Sequence, residues 1–304
     1  MAKKLRIGTR DSQLALWQAN LVKSLLKKKG VDSELIHIKS EGDIDLATPL
    51  YAMGVQGIFT RSLDQALLGG VIDLAVHSMK DVPVQLPVGL REAAVLERDN
   101  PYDLLVLHPS RKNFSENGDS VIASSSLRRK AQWLHRYPSD KIEPIRGNVN
   151  TRLNKLANSE WKGAIFAAAG LERIGMRPVS AEQLDWMLPA PAQGAILVVC
   201  REKDETAFSS CRSLHHESTS FCVRIEREFL AGLMGGCSTP IGALAEIEGN
   251  DLFFRGNLLD PSGEKMFSIE KRVSLELASS LGLAAAHELI RNGGSEIMEL
   301  KEHA

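Results

Sequence analysis

An α/β protein of more than one domain, closed by a small α+β domain, is what this sequence predicts, on three observations. The 304 residues exceed one typical domain, a strand–polar turn–helix unit recurs along the first two-thirds, and after about Glu217 the order switches to helix first.

Leu5 to Thr9 reads as a short buried strand. Beyond Asp11-Ser12, Leu14, Trp17, Leu21 and Leu25 fall at helical spacing, and Gly30 closes the helix. The same unit is predicted as Leu35 to Ile38 with a helix from Gly57, Ile72 to Val76 with a turn ending at Pro83, and Val121 to Ala123 with Leu127 to His135. It recurs as Ile142 to Ile145 with a helix from Val149, and as Ala164 to Ala167 with a helix from Leu171. Such repetition predicts α/β layers.

Turn formers cluster at Arg98-Asp99-Asn100-Pro101 and Leu188-Pro189-Ala190-Pro191, so the stretch between them is expected to be a separate domain. Gly194 to Cys200 resumes a strand pattern that would return to the first domain, and two crossings would make a hinge. The expected division is therefore 1–97 plus 194–213, then 101–190, then 216–304. The last part reads as a helix from Val223 to Leu233, strands at Ile241 to Ile247, Leu252 to Leu258 and Met266 to Val273, and a closing helix from Leu275 to Ile290.

Composition excludes several classes of function. With 37 basic against 38 acidic residues no global field would attract nucleic acid or an anionic membrane, so anion binding must be local. The longest apolar run, Ala164 to Ala169, is far below the roughly 20 residues that span a bilayer. The N-terminus enters a strand pattern without an apolar leader, from which a cytoplasmic location is expected. Cys200, Cys211, Cys222 and Cys237 show no CxxC pairing, which predicts reduced thiols, and no histidine pattern predicts a metal site.

Three strand-to-helix turns carry cations beside hydroxyls or amides: Thr9-Arg10-Asp11-Ser12, Ser124-Ser125-Ser126-Leu127-Arg128-Arg129, and Arg146-Gly147-Asn148-Val149-Asn150-Thr151-Arg152. Turns of this kind line the crevice at the carboxyl ends of the strands, where free helix amides favour anions and arginine adds a bidentate fork. Taken singly, the Ser and Asn side chains are helix caps and the arginines a solvated face. Three together predict a pocket for several anionic groups. Neither a Walker-A spacing nor a GxGxxG after a strand occurs, so a polycarboxylate is expected rather than a nucleotide.

Val76-His77-Ser78-Met79-Lys80-Asp81-Val82-Pro83 follows a strongly apolar strand into the same crevice. A carboxylate beside cations stays ionised and can stabilise a developing positive charge; a turn aspartate ahead of Pro83 is the plainer alternative. Gly235-Gly236-Cys237-Ser238-Thr239-Pro240 joins a helix to a strand and leaves the thiol open to close approach, although a lone cysteine is more often a small buried hydrophobe.

In order along nearly the whole chain these segments resemble the porphobilinogen deaminase family, also called hydroxymethylbilane synthases. The resemblance runs through Arg6-Ile7-Gly8-Thr9-Arg10 with Ser12, the Val76 to Pro83 segment, Ser125-Ser126-Leu127-Arg128-Arg129, Arg146-Gly147-Asn148-Val149 with Thr151-Arg152-Leu153, Gln193-Gly194-Ala195, and Gly236-Cys237 with Pro240-Ile241-Gly242. It implies two domains like type 2 periplasmic binding proteins around a cleft and a third bearing the cysteine. It implies a transferase of tetrapyrrole (porphyrin and heme) biosynthesis that condenses porphobilinogen head to tail, releasing ammonia, on a dipyrromethane joined by thioether to Cys237. The linear tetrapyrrole hydroxymethylbilane is then released by hydrolysis.

By the same resemblance Asp81 is the catalytic carboxylate, facing the cationic azafulvene left when ammonia departs. Lys80, Ser78, Ser124, Ser125, Ser126, Arg128, Arg129 and Gln193 would hold the cofactor, and Arg10, Ser12, Phe59, Arg146, Arg152 and Arg173 the incoming substrate. A monomer that hands its product to uroporphyrinogen-III synthase is implied, with no nucleic-acid or membrane partner. Ser40 to Gly57 would be a mobile lid, and there Val55 and Gln56 stand where the family usually has glycine and lysine; Ala192 replaces a common glycine. A solute receptor would need an export signal and a regulator a DNA-reading domain, and neither pattern is found; an inactive homologue would be expected to have lost Asp81 or Cys237, and both are present.

Overall fold

The computed structural model describes residues 4–39, 60–110, 119–233 and 239–302. The strands, in chain order, are β1 (Leu5–Thr9), β2 (Ser33–His37), β3 (Leu74–Ser78), β4 (Leu90–Val95), β5 (Asp103–Leu107), β6 (Val121–Ala123) and β7 (Lys141–Glu143). They continue with β8 (Gly163–Ala167), β9 (Glu182–Gln183), β10 (Ile196–Arg201), β11 (Ile241–Glu248), β12 (Asp251–Leu259) and β13 (Met266–Ser274).

Two five-stranded sheets share one topology. The first has the order β2-β1-β3-β10-β4 and the second β7-β6-β8-β5-β9. In the first, β1 lies parallel to β2 and β3 while β10 runs antiparallel to β3 and β4. In the second, β6 lies parallel to β7 and β8 while β5 runs antiparallel to β8 and β9. Each antiparallel strand is the first one formed after the chain crosses between sheets: β5 after residues 96–102, β10 after residues 184–195. The architecture is the expected pair of α/β layers plus a smaller unit.

Local chemistry explains the elements that the sequence predicts well. The helix α1 (Gln13–Lys28) starts at Ser12, whose hydroxyl accepts from the Ala15 amide, and it buries Gln18, Ala19, Val22 and Leu26. Helix α2 (Arg61–Leu68) follows, and the predicted start at Gly57 lies outside the described residues. In the second sheet α3 (Leu127–Arg136), α4 (Val149–Ala157) and α5 (Ala168–Arg173) each follow a strand, and Asn148 caps α4. Strands β4, β5 and β9 and the helix α6 (Glu205–Arg212) fall outside the predicted units. β5 is buried at every position, so it carries no alternation to read.

Helix α7 (Glu217–Gly232) begins six residues before its predicted start because Glu217, Ser218, Thr219 and Ser220 supply a polar first turn, capped by the His216 side chain. Its Cys222, Ile225 and Phe229 join the core beneath the sheet β11-β12-β13, while Val223 packs into the core of the first sheet. α7 therefore belongs to both. The predicted closing helix, Leu275 to Ile290, is instead a 3₁₀ turn followed by α8 (Leu281–Leu289), and a break separates these from α9 (Ser295–Glu302), which lies beyond the predicted span. Gly293, at φ +111°, makes the break, with the Phe267 ring 2.5 Å from where a Cβ would sit.

No described helix is long and apolar enough to cross a membrane.

Candidate active site

The carboxyl ends of the parallel strands in the two sheets face one another. The Asn150 amide at the start of α4 donates to Gln13 Oε1 at the start of α1 over 2.9 Å. Leu14 packs into the core of the second sheet, and the Arg173 guanidinium lies 5.8 Å from the centre of the Trp17 ring. The turns singled out in the sequence therefore open into one cleft.

At its floor lies Asp103, the first residue of β5, with 0% exposure. It accepts from Arg129 Nη2 at 2.7 Å and from Gln193 Nε2 at 2.8 Å, and pairs with Arg128 Nη1 at 2.8 Å. Burial alone would raise this carboxyl, but the Arg128 and Arg129 charges, the Arg129 hydrogen bond and Lys80 hold it well below the usual carboxylate range. Lys80 Nζ donates to Gln193 Oε1 at 3.0 Å. Its pKa is pushed down to about 8 by burial and by Arg129 and Arg128, against the pull of Asp81 and Asp103.

Asp81 ends the 3₁₀ turn Met79–Asp81 that follows β3, and its side chain is exposed. It interacts electrostatically with Lys80 on its own sheet and with Arg152 on α4 of the other. The Arg152 pKa is lowered to about 10, chiefly by burial, then by Arg129 and Arg146, with Asp81 opposing. Among the described residues, Lys80, Arg128, Arg129, Arg146 and Arg152 thus form one set in which five cations face two carboxylates, Asp81 and Asp103. The buried Nε atoms of Arg128, Arg129 and Arg152 have no hydrogen-bond partner among the described residues. Unmatched buried donors beside excess positive charge suit a ligand bearing several carboxylates.

Other predicted residues are engaged with the protein. Ser12 and Ser126 cap α1 and α3, and Ser124 Oγ accepts from the Ser126 amide at 3.3 Å. Ser125 Oγ donates to the Ile145 carbonyl at 2.8 Å and accepts from the Ile145 amide at 2.9 Å. Ser78 Oγ accepts from the buried Gln18 Nε2 at 2.8 Å. Gln193 Nε2 also donates to the Pro101 carbonyl at 2.8 Å, next to the residues of the first crossing. Arg10 follows β1 and acts on the buried His77, whose pKa falls to about 4 through burial and then the Arg10 charge.

Arg173, expected to meet substrate, ties the crossings together in this structure. With 8% exposure, its Nε donates to Asp99 at 2.7 Å and its Nη2 to the Gly194 carbonyl at 2.6 Å. Phe59, the Ser40 to Gly57 segment and Cys237 lie outside the described residues. Cys200, Cys211 and Cys222 are buried; burial raises the Cys200 thiol and pushes those of Cys211 and Cys222 up to about 12, so none is poised as a thiolate.

Sequence reasoning passed over Asp103 and Gln18. Both carry a usable signal, a charged residue opening an apolar strand and an amide on the apolar face of a helix, because buried polar groups require partners. Ala192 sits at φ +62° with 0% exposure, in the left-handed region that a glycine would adopt more readily.

Solved structures match this chain in part and at low identity. A double mutant of the VFT2 domain of BvgS from Bordetella pertussis matches at TM-score 0.42 and 13% identity, covering 69% of this chain and 85% of that one. A periplasmic substrate-binding protein of an ABC transporter from Coxiella burnetii matches at TM-score 0.43 and 14% identity, covering 71% and 94%. In sequence, the porphobilinogen deaminase of Geotalea uraniireducens (strain Rf4) is 42% identical over 302 residues, covering 97% of this chain and 94% of that protein. The family model described as porphobilinogen deaminase, dipyromethane cofactor binding domain, matches residues 5–209, which hold the whole cation-rich cleft. The model described as porphobilinogen deaminase, C-terminal domain, matches residues 220–291. With both models matched in order across the two sheets and the smaller unit, the chain belongs to the porphobilinogen deaminase family.

Proposed function

We propose that this chain is a transferase that joins porphobilinogen units head to tail, expelling one ammonia per unit, and releases hydroxymethylbilane by hydrolysis, with Asp81 as the catalytic carboxylate. The observation that carries this reading is the cross-cleft placement of Asp81 among Lys80 and Arg152, in a site where cations outnumber carboxylates. Each porphobilinogen carries an acetate and a propionate, and these carboxylates match the excess guanidinium and ammonium charge.

A dipyrromethane fits the same donors, because the buried Nε atoms of Arg128 and Arg129 lack partners and Lys80 sits beside them. When bound, it supplies the pyrrole carbon from which the chain grows. Arg128, Arg129 and Lys80 would hold its carboxylates, with Ser78, Ser124, Ser125, Ser126 and Gln193 fixing the turns around them. Cys237 is its thioether anchor in this proposal; the raised pKa values of the three buried thiols leave them unsuited to that role. Arg10, Ser12, Phe59, Arg146, Arg152 and Arg173 would meet the incoming substrate. Facing Lys80 and Arg152, the Asp81 carboxylate would accept the pyrrole N–H and lower the barrier to the cation formed as ammonia leaves.

The functional units are proposed to be 1–97 with 194–213, 101–190 and 216–304, in a cytoplasmic monomer that hands its product to uroporphyrinogen-III synthase. Two measurements test the chemistry. Asp81→Asn is expected to keep its melting temperature and lose at least about 100-fold in turnover of porphobilinogen, and near-normal turnover would refute the assignment. The intact mass of protein from tetrapyrrole-making cells should exceed the sequence mass by one dipyrromethane, and that addition should vanish in Cys237→Ala; an unmodified wild-type mass would count against the thioether.

A further inference from the structure

We infer that Arg227, on α7, is the positioning residue that fixes the Asp81 turn at the cleft, an inference that rests on the assignment of the reaction to Asp81 above. The Arg227 side chain is 7% exposed and donates four hydrogen bonds, all to main-chain carbonyls. Nη1 reaches Met79 at 3.4 Å and Val82 at 3.0 Å; Nη2 reaches Pro83 at 2.6 Å and Val84 at 3.1 Å. These acceptors bracket Asp81 on both sides.

The arrangement runs against the usual terms of burial. A buried guanidinium is ordinarily matched by a carboxylate, yet Arg227 makes no ion pair with a described residue, and burial lowers its pKa with Glu92 opposing from farther away. Among the described residues, its hydrogen bonds all end on carbonyl oxygens. Residues 82–84 lie outside any helix or strand, so no ladder sets the path of the chain there, and Pro83 has no amide with which to make one. The planar fork reaches four acceptors in fixed directions, and its root is fixed because Ile225 and Phe229 of the same helix sit in the core under the β11-β12-β13 sheet. Arg227 thereby sets the height of the Asp81 turn from a helix that the first sheet and the C-terminal unit share.

The test uses holoenzyme and porphobilinogen. Arg227→Gln and Arg227→Lys should lower kcat about 10- to 100-fold while KM stays within about threefold, with Lys recovering part of what Gln loses, because a misplacement of about 1 Å carries a penalty of that order. Amide exchange in residues 79–84 should speed up while β1 and β10 keep their protection. Faster exchange there with undiminished kcat overturns the inference, as does a fall in kcat with unchanged exchange. If Arg227→Gln does not fold, Arg227→Lys carries both readouts. Asp81→Asn in the same assay separates the two claims: near-wild-type turnover sinks the Asp81 assignment, whereas an inactive Asp81→Asn beside fully active Arg227 variants sinks only the positioning role.

Discussion

At the scale of single residues, what distinguishes this molecule is where it keeps charge out of water. Asp103 holds two arginines that would otherwise repel each other, so their forks remain aimed at the cleft while part of their donor capacity stays unspent. His77 is the reverse case, an imidazole kept neutral by burial and by Arg10, with its pKa lowered from 6.5 to about 4. Between those values the unfolded chain binds a proton that the folded chain excludes, so acidification favours unfolding. A shift of that size amounts to about 3 kcal/mol once the pH falls through the whole interval. The loss of stability between about pH 7 and about pH 4.5, followed by urea unfolding, should therefore be smaller in His77→Leu than in wild type by about 2 kcal/mol. Equal losses in the two proteins would show that His77 titrates freely in the fold.

At the scale of elements, the helix starts explain why the site is built on turns. The hydroxyls of Ser12 and Ser126 and the amide oxygen of Asn148 satisfy the first amides of α1, α3 and α4, and so fix where the adjacent arginines emerge. The plainer reading of these residues as caps is thus realised by their side-chain oxygens. Asn148 is the strongest case, accepting from the Thr151 amide at 2.9 Å and from Thr151 Oγ1 at 3.1 Å. Asn148→Ala should destabilise the protein by about 1 kcal/mol and lower Tm by about 2–4 °C, with Asn148→Asp retaining most of the wild-type value in a calorimetric scan. An unchanged Tm in Asn148→Ala would mean that α4 is held by packing alone.

At the scale of the whole molecule, both crossings and the C-terminal sheet meet on one carboxylate. Glu226 has 0% exposure and accepts from Arg98 Nη1 at 2.6 Å and Nη2 at 3.1 Å in the first crossing. It also accepts from the Ala192 amide at 2.6 Å in the second crossing and from the Ala245 amide of β11 at 2.9 Å. Neutralising it leaves the partly buried Arg98 charge unmatched at a fully buried carboxylate site, which costs about 3–5 kcal/mol. Glu226→Gln should accordingly lower Tm by roughly 10 °C. A drop of only a degree or two would show that the hub is dispensable. Arg173 and Gln193 reinforce the same junction, so the hinge expected from the turn formers is a place of dense polar linkage.

The sequence by itself determined the elements whose cause is local: β1 with α1, β6 with α3, the start of α4, and the three strands of the last sheet, because periodicity and caps act within a few residues. It also marked the cation-bearing turns and, through their order, the family. Tertiary structure decided what those residues could not settle among themselves. The places of β4, β5 and β10 depend on partners far along the chain, and so does the division of labour among the arginines. Arg173 is drawn to Asp99, and Arg128 and Arg129 share Asp103, whereas Arg152 lies across the cleft from Asp81. Charge pairing follows distance in space, and that distance exists only once both sheets have folded and the crossings have brought their carboxyl ends together.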